Sequence, residues 1–470
     1  KNKNFIVNKS NGIPIIRGKD IQRYYIREPK IFVDKKLENK NSLFGLLKEN
    51  LSDFEIERLE NQNLEGVYVS QKRQRYYPQV KLASGVLGFV DTNGEGQYGL
   101  ESYYDNELKQ QLNGNIGSDL ELTIDYNIQF MSEKLLKNAV EGLEAEGGQI
   151  IVADPISGAI IALADYPNFD PNNYSDYAKD ENMIIFQNSA TQKTYEPGSA
   201  FKPITMAIAI EEGKITPQTT YRDSGVVKIG GYDIYNYAQR IYPGDITMTQ
   251  VIEKSINTGI VFVEQQIPHS IFLDYLDKFG FFEKTGVDLP EVFSENEELK
   301  KGYEINFATA SFGQGIEITP LQLVRVFCGL ANGGKMPKLY LVAKRKENGK
   351  TIETQPEFSN QIISEKTASQ TISMMVSAVE NGYSQAAKIP GYYIGGKTGT
   401  AQVAEGGGYS AEKTIQSFIG LGPAFSPKFV ILVKLDNPKA KTAEYSALPV
   451  FHDLAKYIIN LWQLTPDYKI

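Results

Sequence analysis

Cysteine and histidine are nearly absent from this sequence. A single cysteine, Cys328, allows no intramolecular disulfide framework and no cysteine-rich cage for zinc or an iron–sulfur cluster. The two histidines, His269 and His452, stand too far apart to form a local ligand motif, which argues against metal catalysis built on imidazole. No metal and no cofactor is expected. Long apolar runs are missing too. None reaches the roughly 18 residues that cross a bilayer, and the nearest, Ile150 to Leu163, is broken by Asp154, Pro155 and Gly158. No basic, apolar, small-residue leader stands at Lys1. The chain opens abruptly in Lys1-Asn2-Lys3-Asn4, so a further segment is expected upstream. Positive charge is in deficit: 49 Lys plus Arg face 57 Asp plus Glu, a net −8, which argues against a nucleic-acid surface.

What is present is ordinary globular chemistry, with 41% apolar and 23% charged residues over 470 positions. The first 117 residues read as short mixed elements. Ile31-Phe32-Val33 is strand-like, and Leu43 to Leu59 carries apolar and charged residues at helical spacing. Lys72, Arg73 and Arg75 beside Tyr76-Tyr77-Pro78 read as a solvated basic face. Gly94 and Gly96 mark a turn, while Asn113-Gly114 and Gly117 mark a domain junction. Residues 118–470 form the second region. Leu122 to Asp125 predicts a strand leading into a helix from Tyr126 to Ala145. A hairpin pairs Gln149 to Ala153 with Ala159 to Ala164 across Pro155 to Gly158. Three late strands follow at Tyr392 to Gln402, Thr414 to Leu421 and Phe429 to Leu435, then a helix from Ala447 to Trp462. That helix shows Val450, Leu454, Ile458 and Leu461 on one stripe. Strand pairs at both ends with helices between them predict an α+β fold, one antiparallel sheet covered by helices.

Three short motifs carry the chemistry. Ser199-Ala200-Phe201-Lys202 fits S-x-x-K, Ser255-Ile256-Asn257 fits S-x-N, and Lys397-Thr398-Gly399 is K-T-G. Each recurs elsewhere: Ser410 to Lys413, Ser294 to Asn296, and Lys284-Thr285-Gly286. Context separates them. Ser199 follows a Pro197-Gly198 turn and precedes Ile204, Ala207, Ile208 and Ile210, so it stands at the start of a buried helix. There, free N–H groups and the positive dipole end favour an oxyanion. Residues i and i+3 share a face, which brings Lys202 beside the Ser199 hydroxyl, where a desolvated lysine can take its proton. Ser255 and Asn257 lie in a break between two apolar helical stretches, the first opening in a capping box at Thr247 to Gln250. Lys397 sits in a strand stripped of side chains by Gly395, Gly396 and Gly399, as expected where another backbone approaches. A peptide lying antiparallel there would gain main-chain hydrogen bonds. By contrast, Ser410 reads as loop after Gly406 to Gly408, Ser294 sits in an acidic solvated run, and Lys284 lies in a loop.

The three motifs resemble those of class B penicillin-binding proteins, the monofunctional peptidoglycan D,D-transpeptidases. The likeness extends through Tyr76-Tyr77-Pro78, Leu87 to Val90, Gly99-Leu100-Glu101, Tyr195 to Gly198, Ser311 to Gly315 with Thr319 to Gln322, and Gly395 to Gln402. A thinner echo lies at Asn11 to Pro14. The resemblance implies a transpeptidase and serine β-lactamase-like domain at 118–470, with a mainly antiparallel five-stranded sheet flanked by helices. It also implies an elongated non-catalytic, dimerisation-like pedestal at 1–117, too short for a glycosyltransferase domain. It further implies an N-terminal membrane anchor, absent here, and an extracytoplasmic catalytic domain. The implied substrates are peptidoglycan stem peptides and the implied inhibitors β-lactam antibiotics; a glycan polymerase and other wall-synthesis membrane proteins are the implied partners. Ser199 is the implied nucleophile and Lys202 the general base. Ser255 relays a proton, Asn257 holds Lys202 and a substrate amide, and Lys397, Thr398, Gly399 and Thr400 receive the substrate. A β-lactamase or penicillin sensor, or a non-catalytic scaffold of the wall-building complex, are the rival readings. His269 and His452 read as surface and helix residues, Cys328 as core, and Trp462 as packing for the last helix.

Overall fold

The structure, a computed structural model, describes residues 2–8, 44–48, 51–64, 67–72, 75–109, 118–178, 183–347, 349–405 and 408–469. The expectations at Asn11 to Pro14, Ile31 to Val33, Arg73 and the Asn113 to Gly117 junction lie outside them. The chain divides into two compact units, Lys1–Pro78 and Gln79–Ile470.

In the first unit, strands β1 (Asn2–Asn8), β2 (Phe44–Lys48) and β3 (Val67–Lys72) form an antiparallel sheet in the order β2-β1-β3. Helix α1 (Asp53–Gln62) buries Ile56 and Leu59 with Leu51, against Val67 and Val69. The helical spacing read across Leu43 to Leu59 is thus split between a strand and a helix. The break is set at Ser52, whose hydroxyl accepts from Glu55 N–H while the Glu55 carboxylate accepts from Ser52 N–H, a capping box that fixes where the helix begins.

The second unit is built on one five-stranded antiparallel sheet. Its strands are β4 (Gly147–Ala153), β5 (Ile160–Tyr166), β6 (Gly395–Glu405), β7 (Gly408–Gly422) and β8 (Phe429–Asp436), in the order β6-β7-β8-β4-β5. The predicted hairpin and late strands are therefore neighbours across more than two hundred residues, with Val430 to Asp436 paired to Ala153 to Gly147. β4 and β8 are buried at every position because both sheet faces are covered. On one face Ile150, Val152, Ile431 and Val433 pack beneath α2 (Tyr126–Gly142) and the final helix α8 (Ala447–Leu461). On the other, Ile151, Ala153, Val430 and Leu432 pack against the central helices, among them α3 (Lys202–Glu211), α6 (Pro320–Ala331) and α7 (Glu365–Glu380). The stripe predicted on α8 buries Val450, Leu454 and Ile458, whereas Leu461 at its end is exposed. Cys328 is buried in α6 as expected, and Trp462 packs partly buried against the α8 side of the sheet. Among the described residues no helix is long and apolar enough to cross a membrane.

Candidate active site

Ser199 lies in a single 3₁₀ turn, Gly198–Phe201, which runs directly into α3. In such a turn residues i and i+3 eclipse, so Ser199 and Lys202 stand on one face, and the Lys202 N–H donates to Ser199 O. Pro203 falls in the first turn of α3, where its missing N–H leaves no bond unmade. The turn is held from both sides. Gly198 N–H donates to Gly313 O at 2.9 Å, and Gly198 takes φ +55°, with Thr400 O only 2.9 Å from where a Cβ would sit. At Gly399 an added Cβ would lie 2.7 Å from Pro197 O and 3.1 Å from Ala200 Cβ. The backbone that approaches Gly399 is therefore the chain's own Ser199 turn, whereas Gly395 and Gly396 face side chains of α7 and β7.

Ser255 connects α4 (Met248–Glu253) to α5 (Asn257–Glu264). The predicted capping box is present, with Thr247 and Gln250 exchanging bonds at the start of α4. Ser255 itself sits at φ +52°, a conformation a non-glycine residue adopts only when its surroundings enforce it. Lys397 Nζ donates to Ser255 Oγ at 3.0 Å and contacts Thr398 O and Oγ1, each at 3.2 Å. Lys202 Nζ reaches Ser255 O at 2.7 Å, Asn257 Oδ1 at 2.7 Å and Ser255 Oγ at 3.2 Å. One hydroxyl thus stands between two lysines, which are 0% and 2% exposed.

Two ammonium groups this close and this dry cannot both keep their charge at low cost. Burial, reinforced by the neighbouring Lys397, holds Lys202 well below the ordinary lysine range. Burial also brings Lys397 down to about 7, opposed by the carboxylate of Glu444. A neutral Lys202 has two N–H donors, and the carbonyl of Ser255 and the amide oxygen of Asn257 can accept both. Its lone pair is then left for a hydroxyl proton. No hydrogen bond joins Ser199 Oγ to Lys202; the amine is held by Ser255 and Asn257 instead. Ser199, Ser255, Asn257, Thr398 and Thr400 line one cleft of about 600 Å³, and all five are half-buried.

The family described as "Penicillin binding protein transpeptidase domain" matches residues 148–456, and "Penicillin-binding Protein dimerisation domain" matches residues 19–118. The peptidoglycan D,D-transpeptidase FtsI homolog of Mesostigma viride is 31% identical over 455 residues, covering 86% of this chain and 75% of that protein. The chain belongs to the class B penicillin-binding proteins. Stage V sporulation protein D of Bacillus subtilis is 33% identical over 417 residues, 83% of this chain but 64% of that protein, so the match spans a little under two thirds of its length. Among solved structures, penicillin-binding protein 3 of Mycobacterium tuberculosis complexed with aztreonam superposes with a TM-score of 0.77 at 27% identity, covering 85% of this chain and 92% of that one.

In this penicillin-binding protein the look-alike motifs lie elsewhere. Thr285 and Gly286 are tied to Glu291, and Asn296 grips the backbone of residue 317 through both ends of its amide. Ser410 falls within β7 rather than in a loop, in the irregular stretch between the pairs Gln402–Thr414 and Ala404–Tyr409 of the long β6–β7 hairpin. Several supporting residues have no motif to announce them. Asn236 is buried; its amide oxygen accepts from Thr258 N–H, and its amide nitrogen donates to Asp223. Asn257 Nδ2 donates to Tyr235 O at 3.0 Å. Glu196, beside the nucleophile turn, accepts from Gly315 N–H and Tyr409 O–H. Glu196 lies within the Tyr195 to Gly198 stretch of the family likeness, whereas nothing in the sequence pointed to Asn236. His269 stacks on Phe307 with ring centroids 3.9 Å apart, and takes no part in the cleft.

Proposed function

We propose that this chain cross-links peptidoglycan stem peptides as a serine acyl-transferase. In this reading Ser199 Oγ attacks the penultimate carbonyl of a D-Ala-D-Ala terminus while Lys202 accepts its proton. An ester forms at Ser199, the terminal amide bond breaks, and D-alanine leaves with a proton relayed through Ser255. The amine of a neighbouring stem then bonds to the acyl carbon, displaces Ser199 and returns a proton to it. Asn257 holds Lys202 and a substrate amide. Lys397 keeps Lys202 neutral and, with Thr398 and Thr400, receives the terminal carboxylate, while Gly399 lets the nucleophile turn lie against β6. The N–H groups of Ser199 and Thr400 serve as the oxyanion hole, where one donor is worth roughly 2.7–4 kcal/mol of barrier. β-Lactams occupy the same place and acylate Ser199; penicillin-binding protein 3 of Mycobacterium tuberculosis, solved in complex with aztreonam and with ampicillin, supports that expectation.

The observation that carries the reading is the Ser255 hydroxyl lying 3.2 Å from Lys202 Nζ and 3.0 Å from Lys397 Nζ. In the same proposal residues 1–117 are the non-catalytic pedestal and 118–470 the transpeptidase domain. The protein works outside the cytoplasmic membrane on an N-terminal anchor, beside a glycan polymerase. Intact mass after penicillin treatment tests the chemistry. A gain of one penicilloyl group in the wild type and none in Ser199→Ala is expected, with the adduct persisting for many minutes. An equal gain in both rejects Ser199, and rapid loss of the adduct indicates a β-lactamase instead.

A further inference from the structure

One wall of the cleft carries cations that neither the motifs nor the proposed mechanism uses. Arg240, Lys254, Tyr242 and Tyr383 line it together with Ser199 and Ser255. The Arg240 guanidinium donates to Tyr383 O–H at 2.9 Å and lies over the rings of Tyr237 and Tyr383, 5.9 and 5.7 Å from their centroids. Tyr242 and Tyr383 join their hydroxyls at 3.3 Å, and Lys254 Nζ sits over the Tyr242 ring. Among the described residues neither Arg240 nor Lys254 has a carboxylate partner. The carboxylate that ties this loop, Asp223, is already filled: it accepts from Gly225 N–H, Tyr242 N–H, Asn236 Nδ2 and Thr258 Oγ1.

The loop that presents Arg240 is held in a costly conformation. Ala238 and Gln239 both take left-handed φ, +54° and +52°, which non-glycine residues in succession rarely adopt. Asn236 clamps it by donating to Arg240 O at 3.0 Å, and the same side chain accepts from Thr258, one residue beyond Asn257. Strain maintained by buried ties to the catalytic segment is the pattern expected of a loop whose placement is used. A guanidinium fixed on tyrosines, with N–H groups free of any acid, is prepared for a planar anion.

We propose that Arg240, with Lys254 beside it, binds a carboxylate on the amine acceptor, so that the enzyme selects acceptors whose nucleophilic nitrogen is carried by a residue with a free carboxylate. The inference rests on the acyl-transferase reading above and names the substrate class at its second step. There the acceptor nitrogen bonds to the acyl carbon, the ester bond to Ser199 breaks, and a proton from the amine returns to Ser199.

The test loads the full chain with a D-alanyl thioester donor and measures how the acyl-enzyme partitions between water and an added amine, D-alanine or D-alaninamide. The wild type is expected to prefer the carboxylate acceptor by about tenfold or more, the order expected for a charge-assisted contact. Arg240→Gln should bring that ratio to about one, and Tyr383→Phe should lower it part-way, with thermal melting establishing that each is folded. An unchanged ratio in Arg240→Gln would assign the carboxylate to Lys397 and Thr398 and overturn the proposal. So would no preference in the wild type, or an equal fall for both amines. Failure of the wild type to form any penicilloyl adduct would instead overturn the acyl-transferase reading on which it rests.

Discussion

The sequence carries each of its three motifs twice, and the two sets have different fates. Lys202 and Lys397 are buried and meet at one hydroxyl, whereas Lys284 is exposed in a loop whose Thr285 and Gly286 are bound to Glu291. Asn257 reaches Lys202 in the cleft, whereas Asn296 is spent on the backbone of residue 317. Ser199 opens a helix toward the cleft, while Ser410 lies in the irregular stretch of β7, outside the cleft. The letters are the same, and the difference is desolvation and convergence. A lysine in water keeps its proton near the ordinary lysine pKa; one shut away beside a second cation does not.

The contrast can be broken most severely at Ser199, the proposed nucleophile. Ser199→Ala should lower penicillin acylation by at least ~10⁴-fold, as loss of a nucleophile does in other serine acyl-transfer enzymes. Ser410→Ala should leave the rate of adduct formation, followed by mass, within about twofold of wild type. Equal effects would erase the distinction. Next is the cation pair. In the proposed mechanism acylation needs Lys202 neutral and Lys397 charged, so kcat/KM should rise with pH as Lys202 loses its proton and fall as Lys397 does, near 7. Lys397→Arg, which stays charged, should remove the falling limb from the pH–rate profile, and Lys284→Arg should not. A smaller loss, about 10- to 100-fold in acylation rate, is expected for Asn257→Ala, which frees Lys202 from one of its two short contacts. Asn296→Ala should lower stability by about 1 kcal/mol in denaturant titration without altering that rate. Smallest is the glycine pair. Gly399→Ala forces a Cβ to within 2.5 Å of Ser417 Oγ and 2.7 Å of Pro197 O, and should cost ~1–3 kcal/mol along with activity. Gly286→Ala meets nothing nearer than 3.7 Å but must hold φ +78°, and should cost about 1 kcal/mol with activity intact.

Much of the sheet was legible because β4 and β8 carry short apolar runs, Ile150 to Ala153 and Phe429 to Val433, and the hairpin turn is marked by Pro155 and Gly158. The Ser199 turn was legible because Pro197-Gly198 before it and Pro203 after it leave the backbone few conformations. Periodicity failed at Leu43 to Leu59, where a five-residue strand is too short to declare its own period beside a helix. It failed at Ser410 because Tyr409 and Thr414 on either side of it pair with β6, which local composition does not show. The wall around Arg240 was illegible for a further reason. Its contacts join residues 143 apart, and arginines and tyrosines in a polar loop carry no period to read. Motif spacing named the groups that meet in the cleft; only the fold brings together the groups that hold them.

The central claim is that burial beside a second cation leaves Lys202 without its proton. It is tested most directly by NMR titration of the lysine side-chain carbons in the folded protein, with Lys202 and Lys397 assigned by loss of their signals in Lys202→Gln and Lys397→Gln. Lys202 should titrate well below 10.5, and Lys397 near 7. Both lysines titrating together with the exposed ones, near 10.4, would contradict the account.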